Sequence, residues 1–386
     1  MQKIKIGYLS SGNPYDRYTW SGTYYKMRES LELQGFDVKW IKITRPGILP
    51  KLIIIVYKLF AVLQSKKISD VFLKAMVPFY KFEPEIRDFK NFDIIFAPCC
   101  GPYLNKVNTH IPIIYMSDAS PAALFGYYSK NLSNFNMRQA NELEKIALDK
   151  CAAIIYGSEW AKQISVREYS QQEDKIHVLE LGANIDERDI NAVISKKVIK
   201  DYDGLLNILF MGVDWDRKGG EIAVEATRIL NERGINSKIH IIGIRECPDS
   251  CKDKPYVNYV GFLDKNKPDE YNLFIDYLAL ADIHLLPTKA ECAGVVFCES
   301  ASCYIPSFTF LTGGTGNYVI DGKNGYKLPL GSTSAEFANL IEGVIKRGEL
   351  QSLKMSSRKL YEERFNWTVW GKKMTSIINN ILNIKQ

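Results

Sequence analysis

The chain has 386 residues, 46% apolar and 24% charged, which excludes a disordered or fibrous protein and exceeds one ordinary core, so two domains are expected. Its net charge of +6 is mild and its Lys and Arg are scattered without a dense basic tract, which argues against nucleic acid as a partner. The eight cysteines form no zinc spacing, Cys99-Cys100 and Cys247 with Cys251 included, and the opening MQKIKIGYLS reads as a strand rather than a signal peptide, so buried thiols in a reducing cytoplasm are expected.

In the first half, short apolar runs at Ile4 to Leu9, Val38 to Ile43, Asp93 to Ala97, Ile113 to Met116 and Ala152 to Tyr156 alternate with longer amphipathic stretches. Ser21 to Gln34 and Met137 to Lys150 show apolar positions three to four apart and predict helices. This rhythm is that of a doubly wound α/β domain with a parallel sheet. Ile48 to Leu63 is the most apolar window, but Lys51 and Lys58 interrupt it, and a bilayer span needs about 20 apolar residues. Two readings stay open for it: a helix packed on its own domain, or a helix lying on the inner membrane face.

Asp186 to Gly204 is polar and reads as an interdomain connection. A second α/β set follows, with strands at Leu206 to Met211, Lys238 to Ile242, Asn258 to Phe262, Asp282 to Leu286 and Ser307 to Phe310. Helices are expected at Glu221 to Arg233, Tyr271 to Leu280 and Val295 to Cys303. Phe365 to Ile384 puts Trp367, Trp370, Met374, Ile377, Ile378 and Ile381 on one helical stripe that must be covered. Two such sheets whose carboxyl ends face a cleft would bind a ligand there.

Chemistry concentrates in three segments. From Leu286 to Glu299 the chain reads L-P-T-K-A-E-C-A-G-V-V-F-C-E: a strand, a loop carrying Glu291, Gly294 without side-chain bulk, then a helix opening at Val295. Amides at such a helix start suit a diphosphate, and Glu299 could accept bonds from sugar or ribose hydroxyls. Phe210 to Gly220, F-M-G-V-D-W-D-R-K-G-G, follows a strand; Gly212 allows close backbone approach, while Arg217 and Lys218 supply cations where a leaving diphosphate gains charge. Two cations at a helix start run against its dipole. Gly313 to Tyr326 is a glycine-rich run of turns.

In this order the three segments resemble glycosyltransferase family 4, whose members have the GT-B fold of two Rossmann-like doubly wound domains facing a cleft. The resemblance covers nearly the whole chain but is dense from Leu206 to Pro329. It implies that Glu291 faces the donor sugar, that amides around Gly294 and Val295 hold the diphosphate, that Glu299 binds the ribose, and that Lys218 binds phosphate. The family Arg lies earlier than Arg217, which stands in for it. Backbone at Phe262 and Leu263 would meet the base. Gly22 would approach the donor phosphates from the first domain, although a plain helix start there is equally open, and the glycine fingerprint of a dinucleotide enzyme is absent. Where many members carry a His, this chain has Ser117; the adjacent Asp118 either contacts the transferred sugar or caps a helix.

The implied layout is an acceptor domain over 1–190, a donor domain over 191–364 and a helix over 365–386 crossing back to the first. The implied activity is retaining, metal-independent transfer of a hexose-type sugar from a UDP- or GDP-sugar to a glycan or lipid-linked acceptor in surface polysaccharide assembly. It would proceed in the cytoplasm, at or near the inner membrane face. Asp214 and Asp216 have a metal-pair spacing but stand beside Arg217 and Lys218, so no metal and no cofactor beyond the donor is expected. A nucleotide-sugar epimerase or hydrolase would use further acid/base groups, and four histidines, none in these motifs, count against it. A non-catalytic glycan-binding subunit would not need Glu291, Glu299 and Lys218 together.

Overall fold

The computed structural model describes residues 3–45, 47–84 and 89–384. The chain divides into two compact units: the described residues up to Glu180 together with those from Trp367 onward, and Leu181–Asn366.

The first unit is built on a seven-stranded sheet: β1 (Lys5–Ser10), β2 (Asp37–Thr44), β3 (Lys81–Glu83), β4 (Ile94–Pro98), β5 (Ile113–Ser117), β6 (Ala153–Tyr156) and β7 (Ile176–Val178). Their order is β3-β2-β1-β4-β5-β6-β7, with β3 antiparallel to β2 and the other pairs parallel. Every residue of β4, β5 and β6 is buried, as expected for parallel strands covered on both faces, whereas β2, nearer the edge, mixes buried and exposed positions. The helix Trp367–Ile381 belongs to this unit. Its start is pinned to the helix Thr23–Leu33 by Ser30 Oγ donating to the Trp367 carbonyl at 2.6 Å. Trp370 is buried with its ring edge-on to Phe96 on β4.

The second unit carries a six-stranded parallel sheet: β8 (Leu206–Met211), β9 (Ser237–Ile242), β10 (Val257–Gly261), β11 (Ile283–Leu286), β12 (Ser307–Leu311) and β13 (Gly325–Pro329). The order β10-β9-β8-β11-β12-β13 reverses direction between β8 and β11. Two doubly wound α/β units are therefore present.

One expectation is corrected. The polar stretch from Asp186 to Gly204 is no connection: Glu187–Lys196 is a helix inside the second unit. Ile190 and Val193, three apart, bury its inner face; Asp189 accepts from the Tyr271 hydroxyl at 2.8 Å. Just beyond it Lys197 Nζ donates to the carbonyls of Leu278 and Ala281 at 2.9 and 2.6 Å, closing the end of the helix Pro268–Leu280. Only two of its ten residues are buried and the segment around them is rich in Asp and Lys, which hides the helix, yet a cation at another helix's carboxyl end is where the dipole favours it. The sequence reading also passes over β3, β7, β13 and the helices Glu159–Tyr169, Ser334–Lys346 and Leu350–Glu363.

None of the eight cysteines forms a disulfide; Cys99 and Cys247 are partly exposed and the rest buried. Among the described residues no helix is long and apolar enough to cross a membrane.

Candidate active site

In open parallel sheets ligands bind beyond the carboxyl ends of the strands where the order reverses. In the second unit that point lies between β8 and β11. The loop after β8 leads into the short helix Trp215–Lys218, capped by Asp214, whose Oδ1 accepts from the Arg217 amide at 3.1 Å. Arg217 and Lys218 thus close this helix, where its dipole suits cations. The expected conflict between a helix start and two cations is removed: Gly219, at φ 75, separates them from the following helix Gly220–Glu232. A side chain at Gly219 would also put a Cβ 2.2 Å from the Pro287 carbonyl oxygen, so this glycine is what lets the loops after β8 and β11 meet. Asp214 as helix cap gives its spacing with Asp216 a structural purpose.

The two loops converge on a buried ion pair. Lys218 Nζ contacts Glu291 Oε2, and the two residues are only 7% and 8% exposed. Gly212 borders the Lys218 side chain closely; a Cβ there would lie 2.9 Å from Lys218 Cγ. Arg217 reaches across as well: Nη1 donates to the Ala290 carbonyl at 2.9 Å and Nε to Asp214 Oδ2 at 3.3 Å. The loop before Glu291 is fixed by Lys289 N donating to the Arg217 carbonyl at 2.7 Å and Thr312 Oγ1 donating to the Lys289 carbonyl at 3.2 Å. From the glycine-rich segment, Gly314 N donates to the Glu291 carbonyl at 2.8 Å. Glu291 is therefore held by its backbone, not only by its charge.

Immediately after, Gly294 is the N-cap of the helix Val295–Ser302. A Cβ at Gly294 would lie 2.4 Å from the Phe297 ring and 3.0 Å from Tyr318 Cβ, so glycine alone fits. Glycine brings no capping side chain to this helix start, where the helix dipole favours an anion. Glu299 lies one turn further along, 6% exposed, with Lys265 Nζ 3.3 Å from Oε1. Sequence reading misses Lys265. The only signal it leaves is a lysine shortly past β10 in the loop already assigned to the base. That loop starts with Phe262, whose ring lies 4.1 Å under the Arg245 guanidinium, and continues with half-buried Leu263.

Beneath the site His284 on β11 is fully buried, its Nδ1 within 3.0 Å of Ser300 Oγ and 3.3 Å of Ser307 Oγ. Burial, and secondarily the charge on Lys218, pull its pKa down to about 3, so it is neutral and serves as a shelf joining β11, β12 and the helix.

Two predicted residues lie in the first unit. Gly22, at φ 88, is the N-cap of the helix Thr23–Leu33. Asp118 is half-buried directly after β5, beside Ser117, whose hydroxyl donates to the Ala119 carbonyl at 2.8 Å. The geometry thus gathers Gly212, Arg217, Lys218, Glu291, Gly294, Val295 and Glu299 around the end of one sheet, with Phe262 and Leu263 following its β10 strand, while Gly22 and Asp118 belong to the other unit.

Residues 206–347 match the family described as Glycosyl transferases group 1. The capsular polysaccharide biosynthesis glycosyltransferase CapM of Staphylococcus aureus is 26% identical over 250 residues, covering 62% of this chain and 64% of its own length. The chain thus aligns with a little under two thirds of that relative. Among solved structures, a glycosyltransferase from Rickettsia africae superposes with a TM-score of 0.64 at 15% identity, covering 100% of both chains. Anabaena Alr3699/HepE, in complex with UDP and glucose, gives 0.60 at 16% identity over 97% of this chain and 99% of its own. At these identities the structural likeness shows the fold: two Rossmann-like units as in GT-B glycosyltransferases. The matched segment holds the whole β8 to β13 sheet and the residues gathered at its end.

Proposed function

We propose that the chain is a retaining glycosyltransferase that moves a hexose-type sugar from a UDP- or GDP-sugar to a hydroxyl of a glycan or lipid-linked acceptor in polysaccharide assembly. The observation that carries the reading is the buried Lys218–Glu291 pair at the β8/β11 reversal, inside the segment that matches the glycosyltransferase family. The name of the capsular relative favours the polysaccharide setting, and UDP bound to a structural neighbour favours a nucleotide donor.

In this reading the Lys218 ammonium, Arg217 and the amides at Gly294 and Val295 grip the donor diphosphate. Glu299, steadied by Lys265, takes the ribose hydroxyls, and the backbone at Phe262 and Leu263, with Arg245 above the Phe262 ring, meets the base. The bond from the anomeric carbon to the phosphate oxygen breaks with its electron pair going to the nucleoside diphosphate. The Lys218 charge and the helix dipole stabilise that growing negative charge, the kind of fixed electrostatics worth roughly a hundred- to a thousandfold in rate per donor. The acceptor oxygen attacks from the face the diphosphate leaves, and its proton passes to the departing phosphate oxygen. No protein base is needed, in keeping with the neutral, buried His284. Glu291 orients the sugar hydroxyls. No metal takes part, because two cations and a helix start carry the diphosphate charge.

Calorimetric titration with UDP, GDP and ADP in EDTA, with Glu299→Ala alongside, tests the donor site. One nucleotide is expected to bind without metal and to weaken about tenfold in the variant, the loss of one or two hydrogen bonds. Binding that appears only with a divalent cation would remove the metal-free mechanism. Binding of none of the three would remove the nucleotide-sugar reading and leave a glycan-binding subunit. A product of inverted anomeric configuration would remove the same-face step.

A further inference from the structure

The helix Ile48–Leu63 in the first unit touches its own domain along a narrow strip. Pro50, Ile54 and Ala61 are its buried residues, and Ile54 and Ala61 lie two turns apart on that inner line. Facing outward, Leu52, Ile55, Val56, Leu59, Phe60 and Leu63 are between 52% and 84% exposed. At about 100° of rotation per residue these six sweep roughly 140° of the helix surface, centred nearly opposite the buried line. An outward face of this kind inverts the usual amphipathic pattern, in which the apolar stripe is the one that is hidden. Single exposed apolar residues need no explanation, but a contiguous helical face of them marks an interaction surface.

The charges decide what covers it. From Gly47 to Ser69 the sequence holds Lys51, Lys58, Lys66 and Lys67 and no Asp or Glu. All four lysines are exposed. By the same rotation, Lys51 and Lys58 fall together along one edge of the apolar face, next to Ile55, and Lys66 and Lys67 follow its end. A second copy of the chain meeting this face about a two-fold axis would bring the same lysines toward themselves, with no carboxylate in the segment to receive them. At 16 residues the helix is roughly 24 Å long and, with two lysines along it, is unsuited to span a bilayer whose apolar core is about 30 Å. An apolar face bounded by lysines fits a surface that is apolar within and anionic at its boundary.

We propose that the helix Ile48–Leu63 docks the first unit on the surface of an anionic lipid bilayer, lying in the plane of the interface. The six outward side chains enter the acyl boundary while Lys51, Lys58, Lys66 and Lys67 meet lipid phosphates. This surface lies on a different element from every residue of the candidate active site, so the inference stands apart from the proposed activity.

Flotation of the full chain with vesicles tests it, using phosphatidylcholine alone and phosphatidylcholine mixed equally with phosphatidylglycerol. The protein is expected to float with the mixed vesicles and to leave them as salt is raised. Val56→Asp with Phe60→Asp, two outward positions, is expected to cut the bound fraction at least about tenfold, because two charges would have to enter the acyl boundary. An unchanged unfolding midpoint in that variant would show that the loss is not misfolding. Lys51→Glu with Lys58→Glu is expected to abolish the preference for phosphatidylglycerol. Failure of the native chain to float with either vesicle, or equal flotation of the Asp variant, overturns the proposal. Equal binding to both lipids overturns the anionic assignment. A concentration-dependent dimer that the Asp variant dissolves, without flotation, would assign the face to a second copy instead.

Discussion

Each unit buries a carboxyl group, and the two do so in opposite ways. In the second unit Glu291 stands against Lys218 at the mouth of the sheet, and the pair is held by backbone hydrogen bonds on both loops. In the first unit Glu144, on the helix Asn134–Lys150, is 1% exposed and accepts a hydrogen bond from the Tyr115 hydroxyl on β5 at 2.8 Å. Burial raises its pKa to about 7, with the Tyr115 bond pulling weakly the other way. A buried charge needs a partner of opposite sign; a buried carboxyl without one can take up a proton instead. In the proposed reading the first arrangement faces a ligand, while the second joins a helix to β5.

Removing the partner should break the comparison most sharply. Lys218→Met leaves Glu291 buried without its cation, which costs about 3 kcal/mol or more in systems of this kind. Turnover with the donor sugar should fall by about a thousandfold, and the unfolding midpoint should drop. Adding Glu291→Gln should restore much of the stability but none of the turnover. Recovery of both would show that the pair is structural only.

The next effect is on pH. The folded Glu144 carboxyl holds its proton more tightly than the unfolded one, whose pKa is that of an ordinary Glu, 4.5. Its contribution is therefore fully present below the unfolded value and is lost as pH rises through about 7. The loss amounts to about 3 kcal/mol once the group is ionised. Glu144→Gln should raise the unfolding midpoint above the native one at about pH 8, and the gap should close toward about pH 5, where the native carboxyl is protonated. A gap independent of pH would mean that Glu144 is not buried in solution.

A smaller effect separates geometry from charge. Gly219→Ala forces a positive φ on alanine and crowds the Pro287 carbonyl, and should destabilise by about 2 kcal/mol. Because the crowding is where the loops of β8 and β11 meet, turnover should fall with it, measured beside thermal unfolding. Loss of stability with full turnover would show that this crossing does not set the site.

The strand rhythm and the loop after β11 were legible because parallel strands buried on both faces leave unbroken apolar runs, and because a strand, a glycine and a helix start fall within a few residues of Glu291. Lys218 was legible for the same local reason. What was hidden depends on distant partners. Nothing near Lys265 announces Glu299, which lies on another element, and nothing in N-E-L-E-K separates buried Glu144 from exposed Glu142. The helix Glu187–Lys196 was hidden because its polar side faces outward along most of its length. The reading of Ile48 to Leu63 stayed divided because periodicity shows that a face is apolar, not which way it points.

The place of the helix Trp367–Ile381 has a consequence for how the protein comes into being. The ribosome delivers the whole of Leu181–Asn366 before it delivers this helix, and yet the helix completes the unit begun by β1. During translation the middle of the chain can close its own core while the beginning waits, with the Phe96 and Ser30 surfaces still open to water. Domains usually mature from the amino end. Here the first unit cannot be complete until a helix that follows Leu181–Asn366 in the chain has docked on it.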